Sequence, residues 1–314
     1  MSMKHFLKIG DYEPDELQQM LDLSTELHGG QREDLLHKNI LFTFEKPSLR
    51  TKVGTEVAIN HLGGDVIHID PESFLSGKIV YTQPVSGEDA RESLHDTVKN
   101  VSQWCDAIFA RVFSHKTLQV LSKYSEIPLV NALCDKHHPM QAMADLYTIQ
   151  QKYGRDQNVS VTFIGDANNV AFSLIEICLL FGHDVRFAGP KQYYWSQEQL
   201  DYFADLARRY NAKFTPTTEP EKALKDTDVF YTDSFVSMGE ETEYESKIAH
   251  FKNYQLTAEA FTHARKNAGF MHCLPAHRGI EVTDEVMDHS NSWVLEQAKN
   301  RMVVSKGVFA HLIK

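Results

Sequence analysis

The sequence predicts an α/β protein made of two doubly wound parallel-sheet domains joined by interdomain helices. Three observations carry that expectation. At 314 residues the chain is long for one hydrophobic core, and chains of this length tend to divide. Short apolar runs of strand character alternate with helix-length segments along the whole chain, the order that a parallel sheet with crossover helices requires. Finally, 42% of the residues are hydrophobic, an ordinary share for a globular protein and ample for burial.

Pro14 starts a helix in which Leu17, Met20, Leu21 and Leu27 keep an apolar stripe until Gly29-Gly30 ends it. Residues 40–44 read as a strand, 53–62 as a helix stopped by Gly63-Gly64, and 65–69 as the next strand. Residues 73–91, with Gly77, Pro84 and Gly87, read as a long loop, and loops of that length in a compact domain are usually functional or mobile. A helix over 89–104, a buried strand at 107–110 ending on Arg111, a helix over 114–124 and a strand at 128–131 follow. His138-Pro139-Met140-Gln141 opens a helix that bridges the two halves, carrying Met143, Leu146, Tyr147 and Ile149 up to Gly154. The second half begins with a strand at 159–164 and the turn Gly165-Asp166-Ala167-Asn168-Asn169. Helix 170–181, strand 184–188, helix 197–210, strands 229–232 and 269–272 and a last helix over 293–312 complete it. The expected domains are 1–136 and 153–292, with 137–152 as the bridge.

A formal charge of -11 argues against a nucleic-acid or anionic-membrane partner, whose surfaces would repel the chain. No apolar run approaches the roughly 20 residues that span a bilayer, and residues 1–10 lack the character of a targeting peptide. The cytoplasm is the expected location. Cys105, Cys134, Cys178 and Cys273 are widely spaced without a CxxC pair, so a disulfide framework is not expected. The first three lie in apolar settings and read as buried small hydrophobes, whereas Cys273 stands between His272 and Leu274-Pro275.

In open parallel sheets, ligands bind beyond the carboxyl ends of the strands. That rule selects residues 45–51, Arg111, Asn131, residues 166–169, Asp233 and residues 272–275. In the first of these, Pro47 sets the turn, Ser48 stands as an N-cap, and Arg50 and Thr51 enter the first helical turn. Free N–H groups and the partial positive charge of a helix start attract oxyanions. Two hydroxyls, a guanidinium and Lys52 give that start the size of a phosphate site, although the same residues also describe an ordinary capped helix with a basic end. The 165–169 turn lacks the three glycines of a dinucleotide fingerprint; Asn168 and Asn169 read as helix caps, or as a ligand for a polar substrate. His137-His138 has no partner at metal-ligand spacing, and the acidic run 239–243 reads as a solvated loop.

These segments together resemble the transcarbamoylases, most closely the ornithine carbamoyltransferases. Ser48-Leu49-Arg50-Thr51 is similar to the family's phosphate-gripping Ser-Thr-Arg-Thr-Arg loop. Ala110-Arg111-Val112, His138-Pro139-Met140-Gln141 and Asn300-Arg301-Met302 resemble its other carbamoyl phosphate segments. Asp233-Ser234-Phe235-Val236-Ser237-Met238-Gly239 resembles the ornithine loop, and His272-Cys273-Leu274-Pro275 matches the His-Cys-Leu-Pro sequence of ornithine enzymes. The resemblance runs from the first helix to the last.

It implies that Ser48, Leu49, Arg50, Thr51, Arg111 and Arg301 bind the phosphate of carbamoyl phosphate. His138 and Gln141 would hold the carbamoyl oxygen and amide, with the carbonyls of Cys273 and Leu274 touching the carbamoyl NH₂. Asn169, Asp233, Ser237 and Met238 would bind ornithine, and Cys273, Arg111, His138 and Asp233 would serve catalysis. The first domain would then bind carbamoyl phosphate, with helix 293–314 packing back on it, and the second would bind ornithine. No metal or redox cofactor is implied, and the assembly would be a homotrimer or a multiple of trimers. The chain departs from the family pattern at Leu49, Lys52 and Phe235, and its 73–91 loop is long, with Lys78, Gln83 and Glu88 as candidates for reaching a neighbouring subunit. A transcarbamoylase for putrescine or an N-acylated ornithine, and a non-catalytic α/β anion- or amino-acid-binding protein, are the alternatives.

Overall fold

Strand and helix alternate through the chain as the apolar pattern requires. The computed structural model describes residues 4–75, 93–236 and 244–313. It divides into Met1–Met140 with Arg301–Lys314, and Gln141–Asn300. The division falls inside two helices, so each helix has residues in both units.

In the first unit α1 (Pro14–Glu26) precedes β1 (Asn39–Phe44), α2 (Leu49–His61), β2 (Asp65–Ile69) and α3 (Pro71–Leu75). α4 (Leu94–Trp104), β3 (Ala107–Arg111), α5 (His115–Tyr124) and β4 (Leu129–Leu133) follow, before α6 (Pro139–Tyr153). The first three residues expected in the long loop, 73–75, are thus the end of α3; most of that loop, with Lys78, Gln83 and Glu88, lies outside the described residues. Ser93 starts α4 by accepting from the Asp96 N–H, which fixes where the chain re-enters helix.

The second unit contains β5 (Ser160–Ile164), α7 (Asn169–Leu180), β6 (Asp184–Ala188), α8 (Gln197–Arg209), β7 (Phe214–Thr217) and α9 (Pro220–Leu224). β8 (Val229–Thr232), α10 (Tyr244–Phe251), α11 (Ala260–His263), β9 (Gly269–His272), α12 (Asp284–Met287) and α13 (Val294–Leu312) complete the chain. β7 is a strand that the pattern did not predict. Its sequence Phe-Thr-Pro-Thr carries a proline, which a sheet tolerates at an edge, and β7 is an edge strand.

The strand orders are β2-β1-β3-β4 and β7-β6-β5-β8-β9, all parallel. Central strands are apolar because both faces are covered: Leu41, Ile108 and Leu129 pack with Val98, Leu118 and Leu121 in one core. Ile164, Phe230 and Phe270 pack with Phe251 and Leu256 in the other. Each such side chain contributes roughly 1.5–3 kcal/mol on burial. Within the first unit, Gly307 of α13 lies against α1. A Cβ there would meet the Met20 carbonyl oxygen at 2.1 Å and the Ser24 hydroxyl at 2.2 Å, so only glycine permits this approach. Among the described residues, no helix is long and apolar enough to cross a membrane.

Candidate active site

Each sheet reverses its winding once, between β1 and β3 in the first and between β5 and β8 in the second. Those reversals open a crevice at the carboxyl ends of the paired strands. Residues 45–51 and Arg111 leave the first sheet there, and residues 166–169 and Asp233 the second. Residues 272–275 end and follow the edge strand β9, and Asn131, expected at a strand end, is buried within β4 and donates from Nδ2 to the Leu7 carbonyl.

In the first unit β1 and β3 are in register with Phe44 opposite Arg111, and the Glu45 N–H donates to the Arg111 carbonyl at 2.9 Å. The turn that starts α2 and the Arg111 side chain therefore leave adjacent strands at one level. Ser48 is the N-cap of α2, but its side chain makes no capping bond, so the hydroxyl is not spent on its own helix. Leu49 is 74% exposed while Thr51 is buried. Arg301, from the part of α13 in this unit, donates from Nη2 to Thr51 Oγ1 at 2.8 Å. One turn on, Thr55 and Ser305 hydroxyls meet at 3.2 Å, and two turns of α13 are thereby matched to two turns of α2. His138 is buried. Burial, followed by the charges of Arg301 and Arg111, drives its imidazole well below the usual pKa. Thr51, Arg111, His138 and Arg301 thus form a cationic group around a neutral imidazole at a helix start, an arrangement suited to a phosphorylated ligand. A neutral ring can donate a hydrogen bond without adding a further charge.

In the second unit Cys273 donates from Sγ to Asp233 Oδ1 at 3.0 Å, and Asn168 donates from Nδ2 to Asp233 Oδ2 at 3.0 Å. Asn168 is also the N-cap of α7, its Oδ1 accepting from Val170 N at 3.0 Å and Ala171 N at 2.9 Å. One side chain therefore caps a helix and orients a carboxylate. Asp233 is buried, and a buried carboxylate with two neutral donors favours a cationic partner. Asn169, the expected ligand, is the first residue of α7 and half-buried. Ser237 and Met238 lie outside the described residues.

The turn after β9 is held from behind. His272 Nδ1 accepts from Leu274 N at 2.9 Å, and its Nε2 lies 3.3 Å from Glu281 Oε1. With Nδ1 accepting, Nε2 carries the proton and donates to Glu281. Leu274 takes φ of 59° before a cis Leu274-Pro275 bond, a left-handed conformation unusual for a leucine. Asp233, His272 and Cys273 also place one potential metal-ligand atom each within 4.8 Å of the others. Each imidazole nitrogen of His272 already has a partner, so a cation there would displace one of those two bonds. All four cysteines are free thiols, and only Cys273 is not buried.

Gln141 stands in a separate buried group of the second unit. It donates from Nε2 to Asp145 Oδ1 at 2.7 Å, and Gln297 donates to the same oxygen at 2.6 Å. The sequence pattern did not single out Asn168 above Asn169, or Asp145, Glu281 and Gln297 at all. Asn168 carried one legible signal, as an asparagine at the strand-to-helix junction; the other three read as ordinary polar residues of helices and turns.

Two family models cover nearly the whole chain: the carbamoyl-P binding domain of aspartate/ornithine carbamoyltransferase over residues 4–151, and its Asp/Orn binding domain over residues 157–312. The chain is 38% identical to a catabolic ornithine carbamoyltransferase of Thermoplasma acidophilum, covering 100% of this chain and 99% of that one. It is also 38% identical to the ornithine carbamoyltransferase of Bacillus subtilis, over 99% of this chain and 94% of the relative. Among solved structures, the ornithine carbamoyltransferase of Pyrococcus furiosus superposes with a TM-score of 0.90 at 37% identity, over 99% of this chain and 97% of that chain.

Proposed function

Since the chain belongs to the aspartate/ornithine carbamoyltransferase family, we propose that it transfers the carbamoyl group of carbamoyl phosphate to the δ-amine of L-ornithine, giving L-citrulline and phosphate. The observation that carries the choice of amine is the buried Asp233 carboxylate, held by Asn168 and Cys273. A second carboxylate, as in aspartate, would be repelled there, whereas an ammonium is drawn in.

In this reading Ser48, Leu49, Arg50, Thr51, Arg111 and Arg301 bind the phosphate, through guanidinium forks, hydroxyls and backbone N–H groups. His138, neutral because of burial and its two arginine neighbours, donates to the carbamoyl oxygen as negative charge develops on it. Gln141 and the carbonyls of Cys273 and Leu274 receive the carbamoyl NH₂. Asn169, Asp233, Ser237 and Met238 hold ornithine. The neutral δ-nitrogen attacks the carbamoyl carbon, a C–N bond forms, the C–O bond to phosphate breaks, and the nitrogen loses a proton. Cys273 and Asp233, already joined by a hydrogen bond, are the groups proposed to take up that proton or to favour the neutral amine. The first unit acts as the carbamoyl phosphate-binding domain and the second as the ornithine-binding domain. The family resemblance also supports a homotrimer, or a multiple of trimers, working in cytoplasmic amino-acid metabolism.

The test is formation of the carbamoylated amine from carbamoyl phosphate and ornithine, putrescine, N-acetylornithine or aspartate: citrulline, N-carbamoylputrescine, N-acetylcitrulline or N-carbamoylaspartate respectively. Product from ornithine alone is expected. Product only from another amine would replace the substrate, and no product from any amine would leave an anion- or amino-acid-binding protein.

A further inference from the structure

The outer edge of β9 is closed in two stages. β9 is an edge strand, and its N–H groups point alternately toward β8 and away from it. Gly269 N donates inward to the Asp228 carbonyl at 3.0 Å, and Phe270 N donates outward to the Asn291 carbonyl at 2.9 Å. His272 N points outward again, but beyond Trp293 the chain has already entered α13. There the Gln297 side chain takes over, its Oε1 accepting from His272 N at 3.0 Å. His272 and Gln297 are each 1% exposed, and a buried N–H needs such a partner. The same amide reaches two further segments: Nε2 donates to Asp145 Oδ1 of α6 at 2.6 Å and to the Tyr231 hydroxyl of β8 at 2.9 Å. Burial, followed by the charges of Asp145, Cys273 and Asp233, raises the Tyr231 hydroxyl well above its usual pKa, so it takes part as a neutral group.

We propose that Gln297 is a positioning residue: it fixes the end of β9 against β8, and thereby the 3.0 Å approach of the Cys273 thiol to the Asp233 carboxylate. The proposal rests on the reading that these two groups serve the ornithine amine. Tyr231 lies two residues before Asp233, and His272 one before Cys273. Thr232 is paired with His272, so Asp233 and Cys273 leave neighbouring strands at one level. The β8–β9 ladder ends at that pair, and backbone pairing alone does not hold the residues beyond it, which follow separate turns. A side chain that grips the last outward N–H of one strand and a hydroxyl of the other keeps those turns from parting. The amide ends cannot be exchanged, because a backbone N–H must face the oxygen and a carboxylate the NH₂. Placement of this kind matters for rate, since a shift of about 1 Å at reacting groups can cost on the order of 100-fold.

The experiment reads the placement of Cys273 as its rate of alkylation by iodoacetamide, followed by mass spectrometry of the peptide that contains it. The other cysteines are buried. In the wild type the bond to Asp233 holds the proton on sulfur and keeps alkylation slow. Gln297→Met fills a similar volume but offers His272 N no oxygen. It should speed Cys273 alkylation about 10-fold, the lower end of a hydrogen bond to a charged group at 1.4 kcal/mol per decade. In an Asp233→Ala background, where the acceptor is gone, Gln297→Met should add less than about twofold. Kinetics should split in the same way. In Gln297→Met, kcat/KM for ornithine should fall about 10-fold. The inhibition constant of inorganic phosphate should stay within about twofold, because phosphate is read as binding in the first unit. If Gln297→Met does not fold, Gln297→Asn replaces it, polar still but one methylene too short to join His272 N to Asp145. Equal acceleration in both backgrounds, or a phosphate constant that rises in step with the loss of kcat/KM, marks general loosening and overturns the assignment. No acceleration in either background overturns it too. A wild type that makes no citrulline overturns the proposed reaction, and the alkylation rates still decide the assignment of Gln297.

Discussion

Asn168 performs two tasks with one side chain, and substitutions can separate them. Its Oδ1 caps α7 through two backbone N–H groups, and its Nδ2 orients Asp233 at 3.0 Å. Asn168→Ser keeps a capping oxygen of nearly equal quality but has no amide donor long enough for Asp233. Asn168→Ala loses both. The cap contributes about 1 kcal/mol, with a range of roughly 0.5–2, which in a unit of this size lowers the melting temperature by about 2–4 °C per kcal/mol. A hydrogen bond to a carboxylate contributes about 1.5–3 kcal/mol, or about 10- to 150-fold in kcat/KM at 1.4 kcal/mol per decade.

The expected pattern is therefore asymmetric. In a citrulline assay with ornithine varied, both variants should lose kcat/KM by the same factor. In thermal melts both variants should lose the stability of the bond to Asp233, and Asn168→Ala should fall below Asn168→Ser by the further ~1 kcal/mol of the cap. A serine variant with wild-type kcat/KM would show that Asp233 needs no second donor. An alanine variant as stable as the serine variant would show that the cap does not hold α7.

Burial lowers the pKa of His137 to about 3 and of His183 to about 4, from an ordinary 6.5. Below pH 6.5 the unfolded chain binds a proton on each that the folded chain refuses, so their contribution is complete above 6.5 and is lost as the pH falls toward those values, at about 1.4 kcal/mol per pH unit per histidine. His183→Gln should flatten the pH dependence of urea-unfolding stability between about pH 4.5 and 6 by one such increment; an unchanged slope would refute the burial argument. Gly307→Ala should cost about 1–3 kcal/mol or more, because the Cβ meets α1 backbone at 2.1 Å, and a melting temperature equal to the wild type would show that α1 and α13 can part freely.

How far the sequence reveals this molecule depends on the range of the signal. The strand at β1, the buried strand at β5 and the helix starting at Pro139 follow from local apolar pattern and from Pro and Gly punctuation, and the structure has all three. β7 escaped because a proline in Phe-Thr-Pro-Thr argues against a strand unless its edge position is known. The 301–51 bond joins residues far apart in sequence; periodicity on α13 shows that a face is buried but not which helix it meets. Asp145 and Gln297 were invisible for a related reason. A buried polar residue on an otherwise apolar helix looks the same in sequence whether it faces solvent or completes a network.

What the sequence did carry was the level of each functional residue along its strand, and strand order converts that level into a place. The end of β1 and Arg111 on β3 are neighbours only because the chain steps over β1 after forming β2. Likewise Asn168 follows β5 and Asp233 follows β8, and these strands pair only because β6 and β7 were laid on the other side. Winding the first sheet in one direction would insert a strand between Arg111 and the start of α2. Winding the second in one direction would separate Asn168 from Asp233 by more than a 3.0 Å hydrogen bond can bridge. The reversal in each sheet is therefore what turns separated strand ends into a cationic cluster in one unit and a held carboxylate in the other. A residue's position at the end of a strand indicates that it can serve a ligand, and the strand order decides which other residues it serves with.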